Sequence, residues 1–167
     1  MDELATPRHA VEVSYQSIHE VTCRRINILL ADDSRSERDE IRKLLQSHPD
    51  FVVIGEAPNG KLAVKMAIQL RPAVVLMDIS MPLLNGLLAT SQILEVLPDT
   101  KVVILSAYND EAYIHAAIKA GAMGYLLKQT CVEDLCCALH DVQNGQPVFS
   151  PSIPKRLQSL FQQRLLV

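Results

Sequence analysis

Short apolar runs alternate with amphipathic stretches five times between residues 26 and 149, and this repeat constrains the fold more than any other feature. The runs are strand-sized and mostly apolar throughout, as is typical of parallel strands covered by helices on both faces. The stretches between them place apolar residues three and four positions apart, which is the spacing of one helix face. The sequence therefore predicts an α/β fold with a doubly wound, five-stranded parallel sheet. The predicted strands are 26–31, 51–57, 73–77, 101–105 and 124–127.

Length and charge limit the classes of function. The 167 residues are enough for about one domain, which argues against a two-domain enzyme. The 16 Lys plus Arg residues and 19 Asp plus Glu residues give a net charge of −3, so nothing attracts the chain generally to nucleic acid or anionic lipid. No apolar run approaches the roughly 20 residues of a membrane-spanning helix. Because residues 1–16 are also too acidic and polar for a signal peptide, we expect a cytoplasmic protein that does not bind a membrane.

The two ends of the chain lie outside the repeat. Residues 1–24 show no repeat pattern and are predicted to form an N-terminal extension. Residues 150–167 place apolar side chains at helical spacing, which predicts a C-terminal linker helix. The apolar side of this helix needs a partner, which is either this domain, a second copy or a segment outside these residues. The apolar side chains are Leu157, Leu160, Phe161 and Leu165.

Ser34 and Glu37 mark the start of the first helix. They match a capping box, in which the serine hydroxyl and the glutamate carboxylate each accept a hydrogen bond from the other residue's backbone N–H. The first helix is therefore predicted to begin directly after the first strand.

Polar residues follow four of the predicted strands. Asp32 and Asp33 follow the first strand, Asp78 the third, Ser106 the fourth and Lys128 the fifth. In a parallel α/β sheet, ligands bind outside the carboxyl ends of the strands. If the strand order is 2-1-3-4-5, the first and third strands are neighbours, and their three carboxylates converge with Ser106 and Lys128 beside them.

Three converging carboxylates raise one another's pKa unless a cation lies between them. Their oxygen ligands, with positions left open for water, favour Mg²⁺ over Ca²⁺, which prefers more protein ligands. Taken alone, Asp33 is better explained as a helix cap or a solvated loop acid. Polar residues at four strand ends, including a lysine, are better explained as one binding site.

Throughout residues 25–149, the sequence resembles a known family, the receiver domains of bacterial two-component response regulators. The motif INILLADDS is similar to the first strand and acidic pair of that family, and VVLMDISMPLLNG to its phosphoacceptor strand and the loop after it. VVILSAY and AGAMGYLLKQT are similar to its fourth and fifth strands. FVVIGEAPNG and LPDTKVVILSAYND resemble the NarL/LuxR-type subfamily, whose members usually add a C-terminal helix-turn-helix.

The resemblance implies a flavodoxin-like (βα)5 fold with a signalling role. No enzymatic activity is expected beyond self-phosphorylation and autodephosphorylation. Asp78 would accept a phosphoryl group from a sensor histidine kinase, and Ser106 and Lys128 would bind the phosphoryl oxygens. The implied Mg²⁺ ligands are Asp32, Asp33, Asp78 and the backbone carbonyl of Ser80.

The resemblance also implies a conformational switch. Ser106 would move toward phosphorylated Asp78, and Tyr125 would turn into the vacated space and reshape the face made by the fourth helix, fifth strand and fifth helix. The competing interpretation of Tyr125 is a ring packed in the sheet with its hydroxyl at the surface. Ala107 is small enough to leave access to the phosphoryl group, and Tyr108 would shield that group from water.

Two other classes of function fit the sequence less well. A Mg²⁺-dependent aspartyl phosphatase of the haloacid dehalogenase type needs an acid two residues after its nucleophile, where this sequence has Ser80. A flavodoxin-like nucleotide or flavin binder needs a Gly- or Ser/Thr-rich phosphate loop after the first strand, where this sequence has ADDSRSE.

The sequence leaves the output open between two interpretations. In one, the chain is part of a transcription factor that binds DNA only through a domain absent from these residues, because residues 150–167 hold neither a recognition helix nor a basic surface. In the other, it is a stand-alone receiver that acts by protein contact. Either would allow a phosphorylation-dependent homodimer.

Overall fold

The computed structural model describes residues 24–130 and 132–166, and in these residues six strands alternate with six helices. The predicted extension, residues 1–24, lies outside the described residues except for its last residue. The strands are β1 (Ile26–Ala31), β2 (Phe51–Ala57), β3 (Val74–Met77), β4 (Lys101–Ser106), β5 (Gly124–Leu127) and β6 (Val148–Phe149). The helices are α1 (Arg35–Gln46), α2 (Gly60–Leu70), α3 (Gly86–Val96), α4 (Glu111–Ala120), α5 (Val132–Gln143) and α6 (Lys155–Arg164).

The described strands form one parallel sheet in the order β2-β1-β3-β4-β5-β6. The predicted order of the first five strands is confirmed. Strand β6, whose two residues pair with Gly124 and Tyr125 of β5, is not predicted by the sequence pattern. A two-residue strand is too short to show a periodic pattern, so only its neighbour in the sheet reveals it.

Each central strand sends alternate side chains to opposite faces of the sheet, which is why two apolar cores form. In β1, Leu29 contributes to the core beneath α2, α3, α4 and α6, whereas Ile28 and Leu30 contribute to the core beneath α1 and α5. All three side chains are almost completely buried. Burial of such a side chain stabilises the fold by roughly 1.5–3 kcal/mol, so both faces contribute.

Within the described residues, the apolar side of α6 packs against this domain, which is one of the three partners considered above. Leu157 and Phe161 are buried, and the Phe161 ring meets the Phe149 ring edge-on with centroids 4.8 Å apart. Leu160 is partly buried against the same core, whereas Leu165 is 41% exposed. The prediction that Leu165 belongs to the apolar side is therefore wrong, because α6 ends at Arg164 and Leu165 is its C-cap.

Arg164 fastens the end of α6 to the end of α4. Its guanidinium donates to the carbonyl oxygens of Ile118, Gly121 and Ala122 at 2.5, 2.9 and 2.7 Å. These carbonyls lie where α4 ends at Gly121, which has a φ of 99°. Helix ends leave carbonyl oxygens without helical partners, so the guanidinium satisfies groups that α4 itself cannot.

The face formed by α4, β5 and α5, which the resemblance implies as the signalling surface, is covered in part by the chain itself. Strand β6 pairs with the outer edge of β5, and α6 contacts α4.

Within the described residues, no helix combines the length and the apolar character needed to cross a bilayer.

We expect Arg164→Ala to lower the free energy of unfolding by about 1–3 kcal/mol, because three half-buried carbonyl oxygens lose a charged donor. Urea titration followed by circular dichroism measures this loss. The matched control is Arg156→Ala, which removes an exposed ion pair with Glu111 and should cost much less. Equal losses in the two variants would contradict the structural role of Arg164.

Candidate functional site

The site lies at the edge of the sheet where β1 and β3 end side by side. Ala31 pairs with Met77, so the residues that follow them, Asp32 and Asp78, leave the sheet at the same level. The backbone N–H of Asp78 donates to the Ala31 carbonyl at 2.8 Å. One carboxylate oxygen from each of Asp32, Asp33 and Asp78 lies within 4.8 Å of the others. The structure brings the three acids together, as the strand order predicted.

Burial disfavours the charged form of Asp78 within this cluster. Asp32 and Asp78 are only 4% and 5% exposed, whereas Asp33 is exposed. Burial raises the pKa of Asp78, and the charges of Asp32 and Asp33 act in the same direction, although the attraction of Lys128 opposes them. A cation close to Asp78 would therefore stabilise the charged form.

Lys128 supplies one positive charge to the cluster. Its Nζ donates to Asp32 Oδ2 at 2.8 Å and lies 3.5 Å from Asp78 Oδ1. It also donates to Glu37 Oε2 on α1. Burial works against the charge on Lys128, but the hydrogen bonds to Asp32 and Glu37 and the attraction of Asp78 outweigh it and raise the pKa of Lys128. Lys128 is therefore an ammonium group at neutral pH.

Ser106 and Tyr125 are both buried and are linked through Tyr108. The Ser106 Oγ accepts from the backbone N–H of Tyr108 at 3.1 Å, and the Tyr125 hydroxyl donates to the Tyr108 carbonyl at 2.7 Å. Burial raises the pKa of Tyr125, while a hydrogen bond with Ser106 opposes the shift. Tyr125 lies inward on its strand with its hydroxyl inside the protein. The interpretation that placed this hydroxyl at the surface is wrong.

The loop between β4 and α4 is the exposed side of the site. Ala107 and Tyr108 are both exposed, and the Tyr108 ring lies 5.4 Å from the Tyr113 ring of α4. Tyr113 was not among the predicted site residues. Because Tyr113 lies five residues after Tyr108, on the first turn of α4, the loop must turn before the two rings can meet.

The loop after Asp78 is held in place by the start of α3. Asn85 caps the helix by accepting from the Leu88 N–H at 2.9 Å, and the Gly86 N–H donates to the Ile79 carbonyl at 2.9 Å. A Cβ atom at Gly86 would lie 1.8 Å from the Asp78 carbonyl oxygen, so no other residue fits without a shift of the backbone. Ser80 is exposed in this loop, and the metal-binding role of its carbonyl stays a prediction.

The family model for the response regulator receiver domain matches residues 28–140. The chain belongs to this family.

Relatives and solved structures show which response regulators this chain is similar to. The transcriptional regulatory protein YdfI of Bacillus subtilis is 38% identical over 138 residues, which are 83% of this chain and 64% of YdfI. A two-component response regulator of the LuxR family from Aurantimonas superposes with a TM-score of 0.74 at 27% identity, covering 84% of this chain and 99% of that one. The isolated receiver of RcsB from Salmonella enterica, solved in the presence of phosphomimetic BeF3⁻, has a TM-score of 0.72 at 27% identity over 80% of this chain and 99% of that one. The NarL/LuxR-type resemblance is confirmed, and the phosphatase and flavin-binder alternatives are set aside.

The prediction that the Glu37 carboxylate completes a capping box with Ser34 is wrong. One half of the predicted capping box forms, because Ser34 Oγ accepts from the Glu37 N–H at 3.4 Å. In the other half, the Ser34 N–H donates to Asp32 Oδ1 at 2.8 Å, and the Glu37 carboxylate binds Lys128 instead. Arg38 was also missed, and its guanidinium donates to the Asp32 carbonyl at 2.5 Å. An acid one helical turn after an Asp-Asp pair is the signal that would have indicated a site contact.

We expect Gly86→Ala to destabilise the receiver by about 1–3 kcal/mol, because the new Cβ must displace the backbone carbonyl of Asp78. The comparison variant is Gly145→Ala. Gly145 has a φ of 80° but no atom within 4 Å of an added Cβ, so only the left-handed backbone is strained, at about 1 kcal/mol. Chemical denaturation measures both, and a smaller loss for Gly86→Ala than for Gly145→Ala would contradict the close contact.

Proposed function

We propose that Asp78 accepts a phosphoryl group from a sensor histidine kinase and that this modification switches the output of a two-component system. One observation carries the proposal: a buried carboxylate has two further carboxylates within 4.8 Å and the Lys128 ammonium at 3.5 Å. This arrangement suits phosphoryl transfer, which depends mainly on positioning and on neutralising negative charge.

The residues present fit a Mg²⁺ ion. The donor set is three carboxylates whose oxygens lie close together, and hard oxygen ligands are what Mg²⁺ prefers. Asp32, Asp33 and Asp78 would hold the ion, with the backbone carbonyl of Ser80 as a further ligand. When bound, the ion would neutralise charge on the acidic cluster and on the incoming phosphoryl oxygens.

Residues of this chain form the new bond, bind the phosphoryl group and limit the access of water. A carboxylate oxygen of Asp78 forms the new bond to phosphorus as the bond between phosphorus and the kinase histidine nitrogen breaks. The Lys128 ammonium and the Ser106 hydroxyl bind the phosphoryl oxygens. Ala107 leaves room for the group, and the exposed ring of Tyr108, held beside Tyr113, limits the approach of water.

The hydrogen bonds around Tyr108 support a route for the signal. Movement of Ser106 would act on the Tyr108 N–H, and the Tyr108 carbonyl holds Tyr125 on β5. Beyond β5, the Ser150 N–H donates to the Tyr125 carbonyl at 3.1 Å, and Ser150 Oγ accepts from the Leu127 N–H at 2.8 Å. The C-terminal segment is thus hydrogen-bonded to β5, the strand that contains Tyr125 and ends one residue before Lys128.

The proposed output is control of transcription. YdfI is named as a transcriptional regulatory protein, and the present chain spans 64% of its length. We propose that DNA is bound through a helix-turn-helix domain outside these residues, reached through α6. A phosphorylation-dependent homodimer is part of the same proposal.

The proposal predicts a phosphoryl mass increment on the protein after incubation with acetyl phosphate and Mg²⁺, measured by intact-mass spectrometry. Asp78→Asn should remove it, because an amide is not a competent nucleophile here. Asp99→Asn, the same chemical change at a residue that lines a separate pocket with Pro72 and Lys101, should leave it intact. A modified Asp78→Asn protein, or an unmodified wild type that is folded and binds Mg²⁺, would defeat the proposal.

A further inference from the structure

Lys128 binds one acid of the proposed site, Asp32, and one acid outside it, Glu37. Its Nζ bonds Asp32 at the end of β1 and Glu37 on α1. We infer that Glu37 is a positioning residue: it holds the Lys128 ammonium beside α1 and thereby lowers the affinity of the site for a phosphoryl group. This inference rests on the proposed function of Asp78.

The three donors of Lys128 already face acidic side chains. An ammonium group has three N–H donors and no acceptor. In the structure they face three carboxylates, those of Asp32, Glu37 and Asp78, with Asp78 the most distant at 3.5 Å. A phosphoryl oxygen on Asp78 would be a further acceptor for Nζ, and a short bond to it would draw the ammonium toward β3 and away from α1.

Helix α1 does not need the Glu37 carboxylate. In a complete capping box this carboxylate would accept from the Ser34 N–H, but Asp32 Oδ1 takes that bond at 2.8 Å. The cap itself persists through Ser34 Oγ and the Glu37 N–H. Asp32 therefore uses one oxygen for the helix start and the other for Lys128, and in the described part of the chain the Glu37 carboxylate binds Lys128.

The charge balance gives the direction of the effect. A phosphoryl group brings roughly two negative charges to a site that already holds Asp32 and Asp33. Glu37 adds another negative charge on the same lysine, and like charges in one site raise the free energy of the charged form. Among the described contacts, the guanidinium of Arg38 donates to the Asp32 carbonyl and pairs with the Glu56 carboxylate, whereas the Glu37 carboxylate pairs with Lys128.

The effect should be modest, because the Glu37 side chain is 42% exposed and solvent screens it. An exposed charge pair changes an equilibrium by about 2- to 5-fold. Glu37 thus adjusts how readily the receiver is phosphorylated without taking part in bond making.

The test is a titration of the full chain with beryllofluoride at saturating Mg²⁺, followed by backbone amide shifts in NMR spectra. We expect half-saturation of Glu37→Gln at a concentration about 2- to 5-fold lower than that of wild type. The matched control is Glu40→Gln, which removes the same charge from the same helix and from the same groove beside Lys128, and it should titrate like wild type. The ¹⁵N signal of the Lys128 ammonium should also shift in Glu37→Gln, which loss of helix stability alone would not produce.

The outcomes separate the two claims. Unchanged or weaker beryllofluoride binding by Glu37→Gln would overturn the inference, and so would an equal gain in Glu40→Gln. A wild type that binds Mg²⁺ but no beryllofluoride would instead contradict the proposed phosphorylation of Asp78.

Discussion

Electrostatic repulsion among Asp32, Asp33 and Asp78 is the constraint around which the site is organised. Two of these carboxylates are almost completely buried, and burial raises the pKa of Asp78. Lys128 offsets part of this cost, but it divides its charge among several acids. The attraction of Lys128 does not outweigh burial and the neighbouring carboxylates, so the pKa of Asp78 stays raised, and a cation bound beside Asp78 would lower it.

The sheet makes this arrangement unavoidable. Because β1 lies between β2 and β3, the acids after β1 and β3 must meet, and β4 and β5 bring Ser106 and Lys128 to the same edge. The Lys128 N–H donates to the Ser106 carbonyl at 2.9 Å, which continues the ladder one step past β5. The C-terminal segment adds β6 at the outer edge of β5 and packs α6 against α4, so the strand that ends near the site is also held by this segment.

The sequence predicted those parts of the molecule that depend on periodicity and order. Apolar runs located the first five strands, and the strand order then brought the acids together. It did not predict β6, which is too short to show a period, nor the exposure of Leu165, which follows from where α6 ends. Glu37 was assigned to a local capping box because its actual partner lies 91 positions away along the chain. The partner of the Tyr125 hydroxyl, a backbone carbonyl in a loop, leaves no sequence signal at all.

The stability of the protein in urea with and without Mg²⁺ tests most directly whether the cluster is an unbalanced anionic site. The raised pKa of Asp78 means that its charged form destabilises the fold, and this cost appears as the pH rises through the raised value. In EDTA at pH 7, Asp78→Asn should therefore unfold at a higher urea concentration than wild type. Mg²⁺ should raise the wild-type midpoint markedly and the Asp78→Asn midpoint much less. An Asp78→Asn protein that is less stable than wild type in EDTA, together with a wild type whose midpoint does not respond to Mg²⁺, would contradict the account.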